Sequence, residues 1–167
     1  MSLSGRSLLT LRDFSAEEIS ALLDSAFRLK REAIEGVVSQ RFRGKSLAMI
    51  FEKRSTRTRC AFETAFGEEG GHPVFLGSAD IHLGEKESLE DTARVLGRMF
   101  DAIQFRGYAQ RTAEVLAECS GVPVYNGLTD SYHPTQALAD LMTLFEAFPR
   151  RTDLTVAYVG DGRNNVA

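Results

Sequence analysis

The chain has 167 residues, enough for one α/β domain with a real core, and its 43% apolar and 26% charged residues are ordinary for a globular protein. A formal net charge of −3 gives no reason to expect nucleic acid or an anionic membrane as a partner, and no apolar run approaches membrane-spanning length. Cys60 and Cys119 lie far apart and fit no metal-ligand spacing, so they read as free thiols of a cytoplasmic protein.

The start, Met1-Ser2-Leu3-Ser4-Gly5, lacks the apolar core of a signal peptide. Ser15-Ala16-Glu17-Glu18 is a capping box, in which the Ser15 hydroxyl can accept from the Glu18 N–H while the Glu18 carboxylate reaches back. Ile19, Leu22, Leu23, Ala26 and Leu29 recur behind it at helical spacing, which predicts a helix from about Ser15 to Glu35. Ser46 to Phe51 is a short apolar run that predicts a buried strand. A polar turn follows, then a helical stripe of Ala61, Phe62, Ala65 and Phe66 that ends at Gly70-Gly71. Pro73 to Leu76 reads as a second strand and Gly77 to Glu87 as a polar loop. Ser88-Leu89-Glu90-Asp91 caps the next helix, with Leu89, Val95, Leu96, Met99 and Phe100 available for its buried face. Ala102 to Phe105 is a third strand, Thr112 to Cys119 a short helix, and Val122 to Tyr125 a fourth strand. Pro134 to Phe148 is a helix with proline in its first turn, where a missing N–H does no harm.

Leu154 to Val159 reads as a fifth strand running into Gly160-Asp161-Gly162. Strands alternate with helices throughout, which predicts an α/β fold with a parallel sheet flanked by helices on both faces. The chain stops at Ala167, where the next helix is expected. The sequence therefore reads as one domain over residues 1–150 and, over 151–167, the first strand of a second, Rossmann-like α/β domain.

Three strand ends carry polar chemistry. The first is Glu52-Lys53-Arg54-Ser55-Thr56-Arg57-Thr58-Arg59. A helix start offers unpaired N–H groups and the positive end of the backbone dipole, hydroxyls add donors, and arginine forks suit phosphate oxygens. The plainer reading is an N-cap with solvated arginines. Four basic residues in one turn repel each other unless an anion is present, and that favours binding. It is not a Walker loop, because the glycines and the Gly-Lys-Ser/Thr end are missing. The second is Arg106, in Gln104-Phe105-Arg106-Gly107-Tyr108; in isolation it reads as a surface arginine. The third is His133-Pro134-Thr135-Gln136, in which Pro134 holds His133 at the N-cap side. A lone histidine is more often structural than catalytic, but three such ends at one rim are harder to dismiss.

At these separations Ser55-Thr56-Arg57-Thr58-Arg59, Arg106 and His133-Pro134-Thr135-Gln136 resemble the carbamoyltransferases of the aspartate/ornithine type, over essentially the whole chain. Phe51-Glu52-Lys53, His82-Leu83-Gly84 before Glu87-Ser88, the run Asp91 to Leu96, and the run Tyr132 to Asp140 resemble the ornithine branch. Aspartate-type relatives carry a substrate-binding lysine where this chain has Glu85, which counts against that branch.

The resemblance implies that carbamoyl phosphate sets its phosphate on Ser55, Thr56, Arg57 and Thr58, with Arg57 the main counter-charge. It implies that the carbamoyl oxygen faces Thr58, Arg106 and His133, and that the carbamoyl amide donates to Gln136 or nearby carbonyls. The unprotonated δ-amine of L-ornithine would then attack, giving L-citrulline and phosphate. Arg106, His133 and Thr58 would hold the negative charge that builds on oxygen. His82 would complete the site of a neighbouring subunit in a homotrimer, or a multiple of trimers; read alone, it is a solvated loop histidine. Asn165, or with less support Asn164, would contact ornithine. Gly160-Asp161-Gly162 is not a nucleotide site, since the third glycine of the fingerprint is absent. The family's Ser-Met-Gly and His-Cys-Leu-Pro segments are not present in this sequence. No cofactor and no metal is implied. Arginine synthesis and arginine breakdown use the same groups, so the direction stays open. Two other readings also stay open: a carbamoyltransferase for putrescine, modified ornithine or aspartate, and a module that binds carbamoyl phosphate or phosphate without turnover.

Overall fold

The computed structural model describes residues 3–81, 83, 86–149, 151, 153–160 and 162. In chain order the elements are a 3-10 turn (Leu11–Asp13), α1 (Ala16–Ile34), β1 (Ser46–Phe51), α2 (Thr56–Glu68), β2 (His72–Gly77), α3 (Leu89–Met99), β3 (Ala102–Arg106), α4 (Gln110–Ser120), β4 (Val124–Asn126) and α5 (Pro134–Ala147). The strands form one parallel sheet in the order β2-β1-β3-β4.

Alternation along the strands sorts the core into two layers. Leu47, Met49, Phe51 and Ala102 face one way, where Phe62 and Phe66 of α2 cover them. Ala48, Ile50, Ile103, Phe105 and Val124 face the other way, against Ala93 and Leu96 of α3 and Ala113 and Leu116 of α4. Helices therefore cover both faces of the parallel sheet, as expected.

The strand order decides where a ligand can sit. From β1 the chain crosses through α2 to β2 on one side, whereas from β3 it crosses through α4 to β4 on the other. The connections after β1 and β3 thus diverge over opposite faces, and a crevice opens between the carboxyl ends of these two central strands. Ser55 and Arg106 lie at those two ends.

Several local expectations hold in detail. Ser15 caps α1 with the complete box: Glu18 N–H donates to Ser15 Oγ at 3.3 Å and Ser15 N–H to Glu18 Oε2 at 2.9 Å. Ser88 Oγ accepts from Asp91 N–H at 3.1 Å, capping α3.

Others need correction. The expected fifth strand, Leu154–Val159, is not formed: residues 153–159 make no ladder among the described residues, and Val156 and Val159 are exposed. A strand exists only through hydrogen bonds to a neighbour, and the apolar run alone supplies none. Val95 and Met99, expected inside, point outward, because α3 buries Thr92, Ala93 and Leu96 instead. In α1 only Leu23 is buried and Leu29 is exposed; this helix lies at the periphery against α5, where Lys30 and Glu146 pair at 2.7 Å. One sheet element was not anticipated: Leu8 bridges Tyr125 in parallel, donating to Val124 O at 2.8 Å and accepting from Asn126 N–H at 2.9 Å, and so extends the β4 edge. Among the described residues no helix is long and apolar enough to cross a membrane.

Candidate functional site

Helix α2 begins inside the basic turn itself. Ser55, with extended backbone, is its N-cap, and its Oγ accepts from Thr58 N–H at 3.2 Å. That satisfies one of the helix-start donors; the remaining N–H groups of the first turn have no intrahelical acceptor. The Ser55 hydroxyl still has its own proton to give. Thr56 and Arg57 are exposed on this turn, so the N-cap reading and the anion reading describe the same geometry.

Repulsion among the four basic residues is weaker than their spacing suggests. Lys53 pairs with Asp130 and lies 4.3 Å above the Tyr108 ring. Arg59 pairs with Glu63 at 3.2 Å and stacks 3.7 Å over Phe75. Arg54 and Arg57 have no ion pair among the described residues, so they are the two that an anion would meet. A hollow of about 600 Å³ beside the turn is lined by Lys53, Arg54, Ser55, Thr56, Arg59 and Asp80, among others.

Arg106 is the last residue of β3 and pairs with Phe51 of β1, which turns its side chain toward α2. Its Nη1 donates to Thr58 Oγ1 at 3.1 Å and to the Gly127 carbonyl at 3.0 Å. Burial first, and then Arg57, lower its pKa from the ordinary value, yet a guanidinium remains charged. A cation held this way, near a second cation, is a favourable place for negative charge.

His133 is the N-cap residue of α5, half-buried, with Nδ1 3.3 Å from Thr135 Oγ1. Burial and then Arg106 push the imidazole below its ordinary 6.5, and Asp140 opposes them. The neutral ring is favoured. In the tautomer whose Nδ1 accepts from the Thr135 hydroxyl, the Nε2–H is left as a donor. Gln136 is occupied, its Nε2 donating to Asp140 at 2.8 Å. The structure thus joins Ser55, Thr58 and Arg106 directly and brings Arg57 and His133 into electrostatic range of Arg106. His82, Glu85, Asn164 and Asn165 lie outside the described residues.

The profile of the family described as "Aspartate/ornithine carbamoyltransferase, carbamoyl-P binding domain" matches residues 6–146. The chain belongs to this family. It is 67% identical over 165 residues to an ornithine carbamoyltransferase of Caldanaerobacter subterraneus subsp. tengcongensis, covering 99% of this chain and 53% of that protein. It is 56% identical to a catabolic ornithine carbamoyltransferase of Bacillus licheniformis, covering 100% of this chain and 50% of that one. Among solved structures, the ornithine carbamoyltransferase from Pyrococcus furiosus superposes with a TM-score of 0.86 at 48% identity, over 88% of this chain and 47% of that one. The chain spans about half the length of the curated relatives it matches.

Within this carbamoyltransferase domain, the sequence reading missed the residues behind the strand ends. The Gly127 carbonyl holds Arg106, and a Cβ on Gly127 would lie 2.5 Å from Gln104 Nε2 and 3.1 Å from Thr58 Cγ2. Any larger residue there would have to displace the buried Gln104 amide. The Asn126-Gly127 dipeptide signals a turn, but its partners come from strands distant in sequence.

Proposed function

We propose that this chain is the carbamoyl-phosphate half of an ornithine carbamoyltransferase, with residues 1–150 as the binding domain and 151–167 as the start of an ornithine-binding domain. The phosphate sits on the first turn of α2, held by Ser55, Thr56 and Thr58 and by the Arg57 cation. The carbamoyl oxygen faces Thr58, Arg106 and His133, with the amide toward Gln136. Attack by the δ-amine of ornithine builds charge on that oxygen, and the three donors stabilise it; removing one such donor typically costs about a hundredfold or more in rate. His133 serves as a neutral donor, in keeping with its lowered pKa. No cofactor or metal has a role. His82 completes the site of a neighbouring subunit in a trimer, Asn165 meets ornithine, and the protein works in cytoplasmic arginine metabolism.

The observation that carries this reading is the hydrogen bond from Arg106 to Thr58, which ties the β3 end to the anion-directed helix start. The names of the relatives support ornithine as the acceptor. The test is thermal stabilisation of the chain by inorganic phosphate at constant ionic strength. Arg57→Ala should abolish it. An equal rise in melting temperature in that variant would remove the anion from the first turn of α2.

A further inference from the structure

The peptide unit between Gly127 and Leu128 occupies an unusual position. Sheet-like bonds hold the groups on either side of it: Gly127 N–H donates to Phe105 O at 2.7 Å, and Leu128 O accepts from Gly107 N–H at 2.9 Å. Neither bond fixes the plane between them. Its carbonyl, Gly127 O, accepts from Arg106 Nη1 at 3.0 Å, and its N–H, on Leu128, donates to Asn126 Oδ1 at 2.9 Å.

Leu128 has φ 142°, a region that a branched L-residue avoids. A half-turn of this one plane would carry φ to about −38°, on the negative side that L-residues ordinarily occupy. The same half-turn would point the Gly127 carbonyl away from Arg106. The strain therefore favours the flipped plane, and the two hydrogen bonds oppose it.

Asn126 is fully buried, and its amide is itself oriented. Nδ2 donates to Leu9 O at 2.9 Å, with Gln110 Oε1 at 3.3 Å as a further acceptor. Reversing the amide would set a donor against the Leu128 N–H and an acceptor against the Leu9 carbonyl. The N-terminal segment that extends the β4 edge, together with Gln110 and the Tyr132 carbonyl at 3.4 Å, thereby sets which way Asn126 points.

We infer that Asn126 is a positioning residue for the carbamoyl side of the site: it holds the Gly127–Leu128 peptide in its strained orientation so that the Gly127 carbonyl aims Arg106. This rests on the reading that Arg106 faces the carbamoyl oxygen. Asn126 touches no substrate and acts through one peptide plane.

The probes are inorganic phosphate and phosphonoacetamide, a stable compound carrying both a phosphonate and an amide carbonyl, each titrated calorimetrically at fixed ionic strength. Asn126→Ala should weaken phosphonoacetamide about tenfold while weakening phosphate by less than about threefold, since phosphate rests on α2. Adding Leu128→Gly removes the penalty on positive φ and should restore most of the phosphonoacetamide affinity. A general loss of packing would depress both probes and would not be rescued by glycine. Equal affinity in wild type and Asn126→Ala, or a double variant as weak as the single one, overturns the inference. Arg106→Met, run alongside, separates the two levels. Loss in that variant with none in Asn126→Ala overturns the positioning role alone; no loss in either overturns the reading of Arg106 as well. If Asn126→Ala does not fold, amide exchange in the unaltered chain decides. The Leu128 N–H should be protected by about a hundredfold or more, and free exchange there overturns the inference.

Discussion

Replacing Arg106 by methionine tests the site most directly. The guanidinium donates to Thr58 Oγ1 at 3.1 Å and to Gly127 O at 3.0 Å. Charge-assisted bonds of this kind contribute about 1.5–3 kcal/mol each, and desolvation of the cation opposes them by a similar amount. The ligand-free protein should therefore change by only about 1–2 kcal/mol. Binding of a carbonyl-bearing ligand loses a charged donor without that compensation, roughly tenfold or more in Kd. With phosphonoacetamide at about 100 times its Kd, the unaltered chain gains about 2.7 kcal/mol; a tenfold weaker variant gains about 1.4. At about 2–4 °C per kcal/mol for a chain of this size, the melting temperature should rise by about 5–11 °C in the first case and 3–6 °C in the second. Scanning fluorimetry at matched ionic strength reads both, with inorganic phosphate as control. An undiminished shift with phosphonoacetamide in Arg106→Met would refute the placement of Arg106 on the carbonyl.

Gly97→Ala should cost about 3 kcal/mol or more, because the new Cβ would lie 1.8 Å from the Ser120 carbonyl and backbone cannot step aside as a side chain can. Chemical denaturation gives the value; a loss below about 1 kcal/mol would mean that α3 and α4 do not meet there. His133 predicts a pH dependence. Its folded pKa lies below the ordinary 6.5, so the unfolded chain takes up the proton first as pH falls. Its contribution to stability is complete above 6.5 and is lost as pH drops through the lower folded value. His133→Gln should flatten that part of the stability–pH curve below 6.5, and an unchanged curve would show that the ring is not held neutral.

Much of this molecule is legible in the sequence because the information is local. Capping boxes, apolar runs and glycine stops report hydrogen bonds made within a few residues, and Ser15, Ser55 and Ser88 all cap the helices that their neighbours predict. The three polar strand ends were equally visible, since parallel strands present all their carboxyl ends at one rim. Their mutual positions were not. The order β2-β1-β3-β4 depends on pairings between distant segments, and it alone sets Arg106 beside Thr58 rather than one strand away. The pairing of Lys53 with Asp130, the Leu8 edge against β4, and the Asn126–Leu128 bond behind a strained φ are decided the same way. Leu154–Val159 is the counterexample: an apolar run states a preference for a ladder, and only a neighbouring strand can grant it. Residue type and spacing by themselves determined which groups reach the rim, because backbone periodicity is a local property. Which of them touch was left to the packing of the sheet, because strand order and register are paid for by contacts across the whole chain.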